Sequence, residues 1–178
     1  MLKLGAKELR TTKASLEDSQ ALKKNPIYII CDNILDTYNT GSIFRLADAV
    51  AAEKVFLCGI TETPPNTRIK KASINTTEWV AWGYAESTGN VIQDLRFKIQ
   101  DIQIVAIEQN ERSVEFDKAE YSFPIAFVIG NETSGISEDV LKMCDEIVEL
   151  PMFGVNKSLN VMVSLGIVLF TAISKIST

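Results

Sequence analysis

Residues 27–50 read IYIICDNILDTYNTGSIFRLADAV, and the change of period within this stretch decides the fold class. Ile27–Cys31 is a short run of successive apolar residues, the pattern of a strand covered on both faces. A polar stretch follows. From about residue 41 the spacing becomes helical, because a helix over 41–52 places Ile43, Leu46, Ala47 and Val50 on one face. Strand, polar loop and amphipathic helix together make the repeating unit of an α/β domain.

The same alternation runs to the end of the chain. Strand-like runs are expected at Val55–Cys58, Trp79–Tyr84, Ile102–Ile107, Ile125–Ile129 and Ile147–Leu150. Helical stretches are expected near 87–99, 136–144 and 158–175. Ser87 or Thr88 can cap the first of these, and Ser137, followed by Glu138 and Asp139, the second. No internal repeat, low-complexity tract or Pro/Gly-rich linker divides the chain. The expectation is a mostly parallel sheet with helices on both faces, over residues 26–178, preceded by a short basic extension, residues 1–25. The last helix is apolar around nearly its whole circumference, from Leu159 to Ile173. One side would meet the sheet; a second subunit is the natural cover for the other, although a helix covered by its own chain would read the same.

Composition narrows the chemistry. The chain has 178 residues and no histidine, which removes Ser-His-Asp and Cys-His nucleophile systems, HExxH zinc sites and any imidazole acid or base. No metal is expected. Cys31, Cys58 and Cys144 form no CxxC, and two of them sit in apolar runs, as small core residues do. An odd count without a pairing pattern fits a reducing cytosol. The N-terminus has no apolar signal-peptide core, and the apolar stretch 159–173 is interrupted by Asn160, Ser164 and Gly166. A cytoplasmic protein without a membrane span is expected. The net charge of −5 is unevenly spread: residues 1–25 carry Lys3, Lys7, Arg10, Lys13, Lys23 and Lys24 for a net of +3, and the remainder carries −8. A basic arm on an acidic body fits a polyanionic partner, and equally a solvated helical extension.

Three polar loops follow strands: Asp32–Arg45, Gly130–Ser137 and Pro151–Asn160. Ligands in α/β sheets bind beyond the carboxyl ends of strands, so these loops are where a site belongs. Each has a plainer explanation as a cap, a tight turn or a connection, and none contains GxGxxG or a phosphate-binding P-loop. Their joint position favours a site.

The loops carry a family resemblance. Asn39-x-Gly41-x-x-x-Arg45, Gly130-Asn131-Glu132-x-x-Gly135, and Pro151-Met152 followed by Ser158-Leu159-Asn160-Val161 resemble the three ordered motifs of the SpoU/TrmH branch of the SPOUT methyltransferases. The resemblance takes in Pro64–Trp82, with Arg68-Ile69-Lys70-Lys71-Ala72, and Ala106-Ile107-Glu108-Gln109, and covers roughly residues 26–175. It implies an S-adenosylmethionine-dependent methyltransferase acting on a ribose 2′-hydroxyl of tRNA or rRNA. It also implies a C-terminal trefoil knot and a homodimer packed through the knotted region.

By motif position the resemblance implicates Ile107, Gly130, Leu150, Met152 and Leu159 in holding the cofactor. It places Arg45 at the reacting ribose, with Asn39, Glu132, Ser158 and Asn160 around it. A guanidinium stays protonated in ordinary surroundings, so two readings of Arg45 stay open. It acts with an RNA phosphate to accept the hydroxyl proton, or it only positions the phosphate and stabilises the developing alkoxide. Glu132, the only carboxylate of the set, would orient Arg45 or serve as the base itself. In the family dimer, Arg45 would complete a site whose cofactor is bound mainly by the other chain. RNA contacts are expected from Arg45, Arg68, Lys70 and Lys71 and from the basic arm.

The chain departs from the family pattern in two places. Only about 25 residues precede the core, where many relatives carry a separate RNA-binding domain, and Ser73–Thr77 replaces a small Gly/Ala-containing stretch. These departures limit what can be read of the substrate, and the acidic body points to weak intrinsic RNA binding or to help from an accessory protein. The alternative in another class is a catalytically inactive RNA-binding or assembly protein with the same fold, against which the intact polar set speaks. The missing glycine fingerprint argues against a Rossmann-like dehydrogenase.

Overall fold

In the computed structural model, the described residues are Gly5, Glu8 and 22–176. Lys3, Lys7, Arg10 and Lys13 of the basic arm lie outside them; Lys23 and Lys24 directly precede the first strand. The chain runs β1 (Asn25–Asp32), α1 (Thr37–Ala49), β2 (Ala52–Cys58), α2 (Thr67–Ser73), a 3-10 turn (Thr76–Glu78), β3 (Trp82–Ala85) and α3 (Thr88–Lys98). It continues through β4 (Gln103–Ile107), β5 (Val114–Glu115), β6 (Ile125–Ile129), α4 (Glu138–Leu141), β7 (Glu146–Glu149) and α5 (Val161–Ile176).

The strands form one seven-stranded sheet in the order β3-β2-β1-β6-β4-β7-β5, and every ladder in it is parallel. Side chains alternate across each strand, so both faces must be covered. Ile27, Ile29, Val105, Ile125 and Phe127 meet Phe44 and Ala47 of α1, Ile69 of α2, and Leu165, Val168 and Leu169 of α5 on one face. Ile30, Ile104, Ala126 and Val128 meet Val91, Ile92 and Leu95 of α3 and Leu141 of α4 on the other. Each fully buried Phe or Ile contributes about 1.5–3 kcal/mol. The expected sheet, parallel and covered on both faces, is the one observed.

Several boundaries differ from expectation, each for a local reason. α1 begins at Thr37 rather than near 41, because Asp36 is its N-cap and accepts from Tyr38 N at 2.8 Å. Asn39 and Gly41 therefore lie within the helix. Trp79 is not in a strand; it ends the 3-10 turn, its indole N–H donating to Asp48 Oδ1 (2.7 Å), and β3 begins only at Trp82. The helix expected over 136–144 is the single turn Glu138–Leu141, and Ser137 sits at its N-cap position without a side-chain cap bond. The last helix starts at Val161, since Asn160 Oδ1 accepts from Met162 N (3.0 Å) and Val163 N (3.3 Å). Helix α2 and the two-residue β5 had no periodic signal long enough to read.

The final helix is half covered. Leu165, Val168, Leu169 and Ala172 are buried, whereas Val163, Ile167 and Phe170 stay exposed in one stripe, continued by Leu159. Cys31 and Cys58 are buried and Cys144 half-buried, and burial pushes the Cys58 thiol up to about 11 and that of Cys144 to about 12. At neutral pH these thiols remain protonated. Among the described residues no helix is long and apolar enough to cross a membrane.

Candidate active site

The carboxyl ends of β4, β6 and β7 open into a cavity of about 390 Å³. One wall is Ile107, Glu108 and Gln109, where β4 ends; a second is the loop after β6, from Gly130 to Gly135. A third is Glu149 and Leu150, where β7 ends, and the fourth is the segment from Met152 through Asn160 to the first turns of α5. The five residues implicated in cofactor binding, Ile107, Gly130, Leu150, Met152 and Leu159, all line this one cavity. Glu132, Ser158 and Asn160 line it too; Asn39 and Arg45 do not. The size falls within the range of small-molecule sites, about 300–1,000 Å³.

Gly130 closes the loop on itself. A Cβ there would stand 2.6 Å from the Gly135 carbonyl carbon and from Ile136 N, so no larger residue fits without moving the loop. Asn131 fixes the loop outward: Nδ2 donates to the Asn33 carbonyl (2.9 Å), while Oδ1 accepts from Thr133 N (2.9 Å) and Ser134 N (3.0 Å).

A chain of hydrogen bonds joins all three motifs. Asn39 Nδ2 donates to Glu132 Oε1 (2.9 Å), and Asn160 Nδ2 donates to Asn39 Oδ1 (3.0 Å). Glu132 also accepts from Leu35 N at Oε2 (2.8 Å) and from Asp36 N at Oε1 (3.0 Å). Asn160 in turn caps α5. Asn39 is only 7% exposed and both ends of its amide are spent within the protein, so it acts as the link between α1, the β6 loop and α5. Partial burial disfavours the charged form of Glu132, but the bonds from Asn39, Leu35 and Asp36 outweigh it and hold the carboxyl below the usual glutamate range. A carboxylate with three donors and a lowered pKa is a poor proton acceptor.

Arg45 lies on α1, exposed, with no hydrogen bond or ion pair to another described residue. Arg68, Lys70 and Lys71 are exposed on α2, whose N-cap Asn66 accepts from Arg68 N (2.9 Å) and Ile69 N (3.2 Å). Helices α1 and α2 pack directly on each other, because a Cβ on Gly41 would come within 2.6 Å of Ala72 Cβ. Arg45 and the α2 cations thus stand on adjoining helices. Asp36 is an anchor that sequence reasoning did not single out, although an Asp placed before a helix was a signal for it; Asn131, Glu108 and Gln109 lay in the matched motifs without an assigned role.

Comparison with known proteins gives the same outline. The model of the SpoU rRNA Methylase family matches residues 26–170. The tRNA (guanosine(18)-2′-O)-methyltransferase of Aquifex aeolicus is 32% identical over 93% of this chain and 75% of its own length. Seven further curated relatives are spanned over 58–66% of their length. The crystal structure of the A. aeolicus TrmH/SpoU tRNA modifying enzyme superposes with a TM-score of 0.76 at 27% identity, covering 96% of this chain and 81% of that one. An AdoMet-bound rRNA methyltransferase from Sinorhizobium meliloti superposes with a TM-score of 0.77 at 28% identity, over 84% of this chain and 56% of that one. The glycine-walled cavity, the bonded Glu132–Asn39–Asn160 chain and the matched span have one reading: this chain belongs to the SpoU rRNA methylase family.

Proposed function

We propose that this protein is a dimeric RNA methyltransferase that places a methyl group on a ribose 2′-hydroxyl of tRNA or rRNA. The observation that carries the reading is the cavity of about 390 Å³ whose walls are the second and third family motifs. Its lining fits S-adenosylmethionine: Ile107, Leu150, Met152 and Leu159 make an apolar slot suited to an adenine ring, and Glu149 gives a carboxylate beside it for a cationic ligand. When bound there, S-adenosylmethionine supplies a methyl group on a positively charged sulfur, ready for displacement.

The chain's own residues then supply binding and alignment. Arg45 binds the phosphate next to the target ribose and stabilises the 2′-oxygen as its proton departs to a phosphate oxygen. The lowered pKa and three bonded donors of Glu132 favour this division of labour over a glutamate base. Ser158, exposed at the cavity mouth, and Asn160 orient the ribose. Arg68, Lys70, Lys71 and the basic extension 1–25 hold the RNA, with residues 26–178 as the catalytic domain.

Arg45 does not reach the cavity of its own chain, and the α5 stripe of Val163, Ile167 and Phe170, with Leu159 just before the helix, is uncovered. Both facts support a homodimer, packed through a knotted C-terminal region, in which Arg45 of one chain serves the cavity of the other. Such an enzyme works in the cytoplasm, with an accessory protein supplementing weak RNA affinity.

The test is calorimetry with S-adenosylmethionine, followed by labelled methyl transfer to tRNA and rRNA and mapping of 2′-O-methyl sites in cells lacking the gene. Arg45→Ala should abolish transfer and leave cofactor affinity intact. Absence of cofactor binding would favour an inactive RNA-binding protein instead.

A further inference from the structure

Two adjacent side chains at the end of β4 have no part in the reaction as derived above, yet they sit between the two loops that wall the cavity. Glu108 Oε2 accepts from Ile136 N and Oε1 from Gln109 N, both at 2.9 Å. Its carboxylate lies against Gly135, which has φ +67° and where a Cβ would stand 2.3 Å from Oε2. Gln109 reaches the other way: Nε2 donates to the Lys157 carbonyl at 2.7 Å. Glu108 therefore fastens the loop after β6, and Gln109 fastens the segment 151–160.

The second fastening is unusually solitary. Among the described residues, the Gln109–Lys157 bond is the one hydrogen bond from residues 151–159 to the rest of the chain. Phe153, Gly154, Val155, Asn156 and Lys157 are all exposed, so apolar burial does little to hold the segment. A segment held by so little pays ordering entropy each time it closes on a ligand.

The geometry points to Glu108 and Gln109 as positioning residues for the cofactor pocket, with Gln109 the latch that keeps the 151–160 segment closed over bound S-adenosylmethionine. The inference rests on the cavity being the cofactor site. Opening the latch costs one neutral hydrogen bond, which corresponds to about a three- to tenfold change in equilibrium. The change should fall on dissociation rather than association, because the latch acts after the ligand has entered.

The experiment compares the full chain with Gln109→Ala, Gln109→Lys and Glu108→Gln. It measures affinity and dissociation rate for S-adenosylmethionine and S-adenosylhomocysteine, and amide hydrogen exchange over 152–159 without ligand. Gln109→Ala should release both ligands about three- to tenfold faster, exchange faster over 152–159, and keep its Tm. Gln109→Lys, whose ammonium can still donate to the Lys157 carbonyl, should restore the slow release. Glu108→Gln, which turns one acceptor into a donor facing a backbone N–H, should weaken binding at least as much. Unchanged release and exchange in Gln109→Ala would overturn the latch while leaving the function intact. A parallel fall in Tm would overturn it as a general structural effect. Failure of the unmodified chain to bind either ligand would overturn the functional reading and the latch with it.

Discussion

Replacing Asn39 with alanine removes two hydrogen bonds at once, and their cost can be worked from the geometry. The bond to Glu132 is charge-assisted, at 2.9 Å, and such bonds contribute about 1.5–3 kcal/mol. The bond from Asn160 is neutral, at 3.0 Å, and contributes about 0.5–1.5 kcal/mol. Glu132 and Asn160 are both exposed, so water recovers part of each loss, and a net cost of about 2 kcal/mol is expected. For a chain of this length that is a fall in Tm of about 4–8 °C. Urea unfolding of the cofactor-free protein should show the midpoint falling with an unchanged slope. Asn39→Asp is the instructive companion. It keeps the acceptor for Asn160 but sets a second carboxylate against Glu132, so it should be weakest at neutral pH and recover as pH falls and one carboxyl takes up a proton. A double-mutant cycle of Asn39→Ala with Asn160→Ala should give a coupling of about 0.5–1.5 kcal/mol. A cost for Asn39→Ala below about 0.5 kcal/mol, or an additive cycle, would refute the idea that this amide couples α1 to α5.

Three more outcomes follow from the same structure. Gly41→Ala raises helix propensity by about 1 kcal/mol yet drives a Cβ to 2.6 Å from Ala72 Cβ and 2.7 Å from the Ile69 carbonyl oxygen, so thermal melts should show a net loss of about 1–3 kcal/mol; a gain would mean that α2 gives way freely. Phe170→Glu places a charge in the exposed α5 stripe, where the side chain is 52% exposed, and should split the proposed dimer into a folded monomer by sedimentation, without methyl-transfer activity; a dimer that persists would assign the interface elsewhere. Because the folded pKa of Glu132 is lowered from its ordinary 4.5, the stability it adds is complete above that value and is lost as pH falls through the lowered one. Acid titration of Glu132→Gln should therefore differ from the unmodified protein above that window and converge with it below.

The sheet was legible because its signal is periodic. Ile125–Ile129 is the strand in the structure exactly where its apolar run lies, and the two-sided cover follows from strands that never alternate with polar residues. The start of α1 was misread for the opposite reason. Thr37, Asn39 and Thr40 carry no apolar period, and Asn39 is buried because Glu132 and Asn160 satisfy it from 93 and 121 residues away. No local pattern announces such partners. The cavity walls were legible residue by residue only through the motif order; nothing in Leu150 or Leu159 alone separates a pocket lining from a core. Glu108 and Gln109 stood in the matched stretch, but their roles stayed hidden because their partners, Ile136 N and the Lys157 carbonyl, are backbone groups that every residue possesses.

The strand order carries a consequence for synthesis. β6 fills the slot between β1 and β4, although it is made after both. Until Ile129 has left the ribosome, β1 and β4 each present an open edge toward an empty centre. The first half of the sheet, β3-β2-β1, can assemble early from contacts close in sequence, but joining it to β4 and β7 must wait for long-range pairing, which is slow. The cavity is later still, since its fourth wall runs to Ser164. Truncated or stalled chains of this protein should therefore be insoluble and unable to hold a ligand, and the cofactor proposed for the finished cavity should act as a stabiliser of newly made protein.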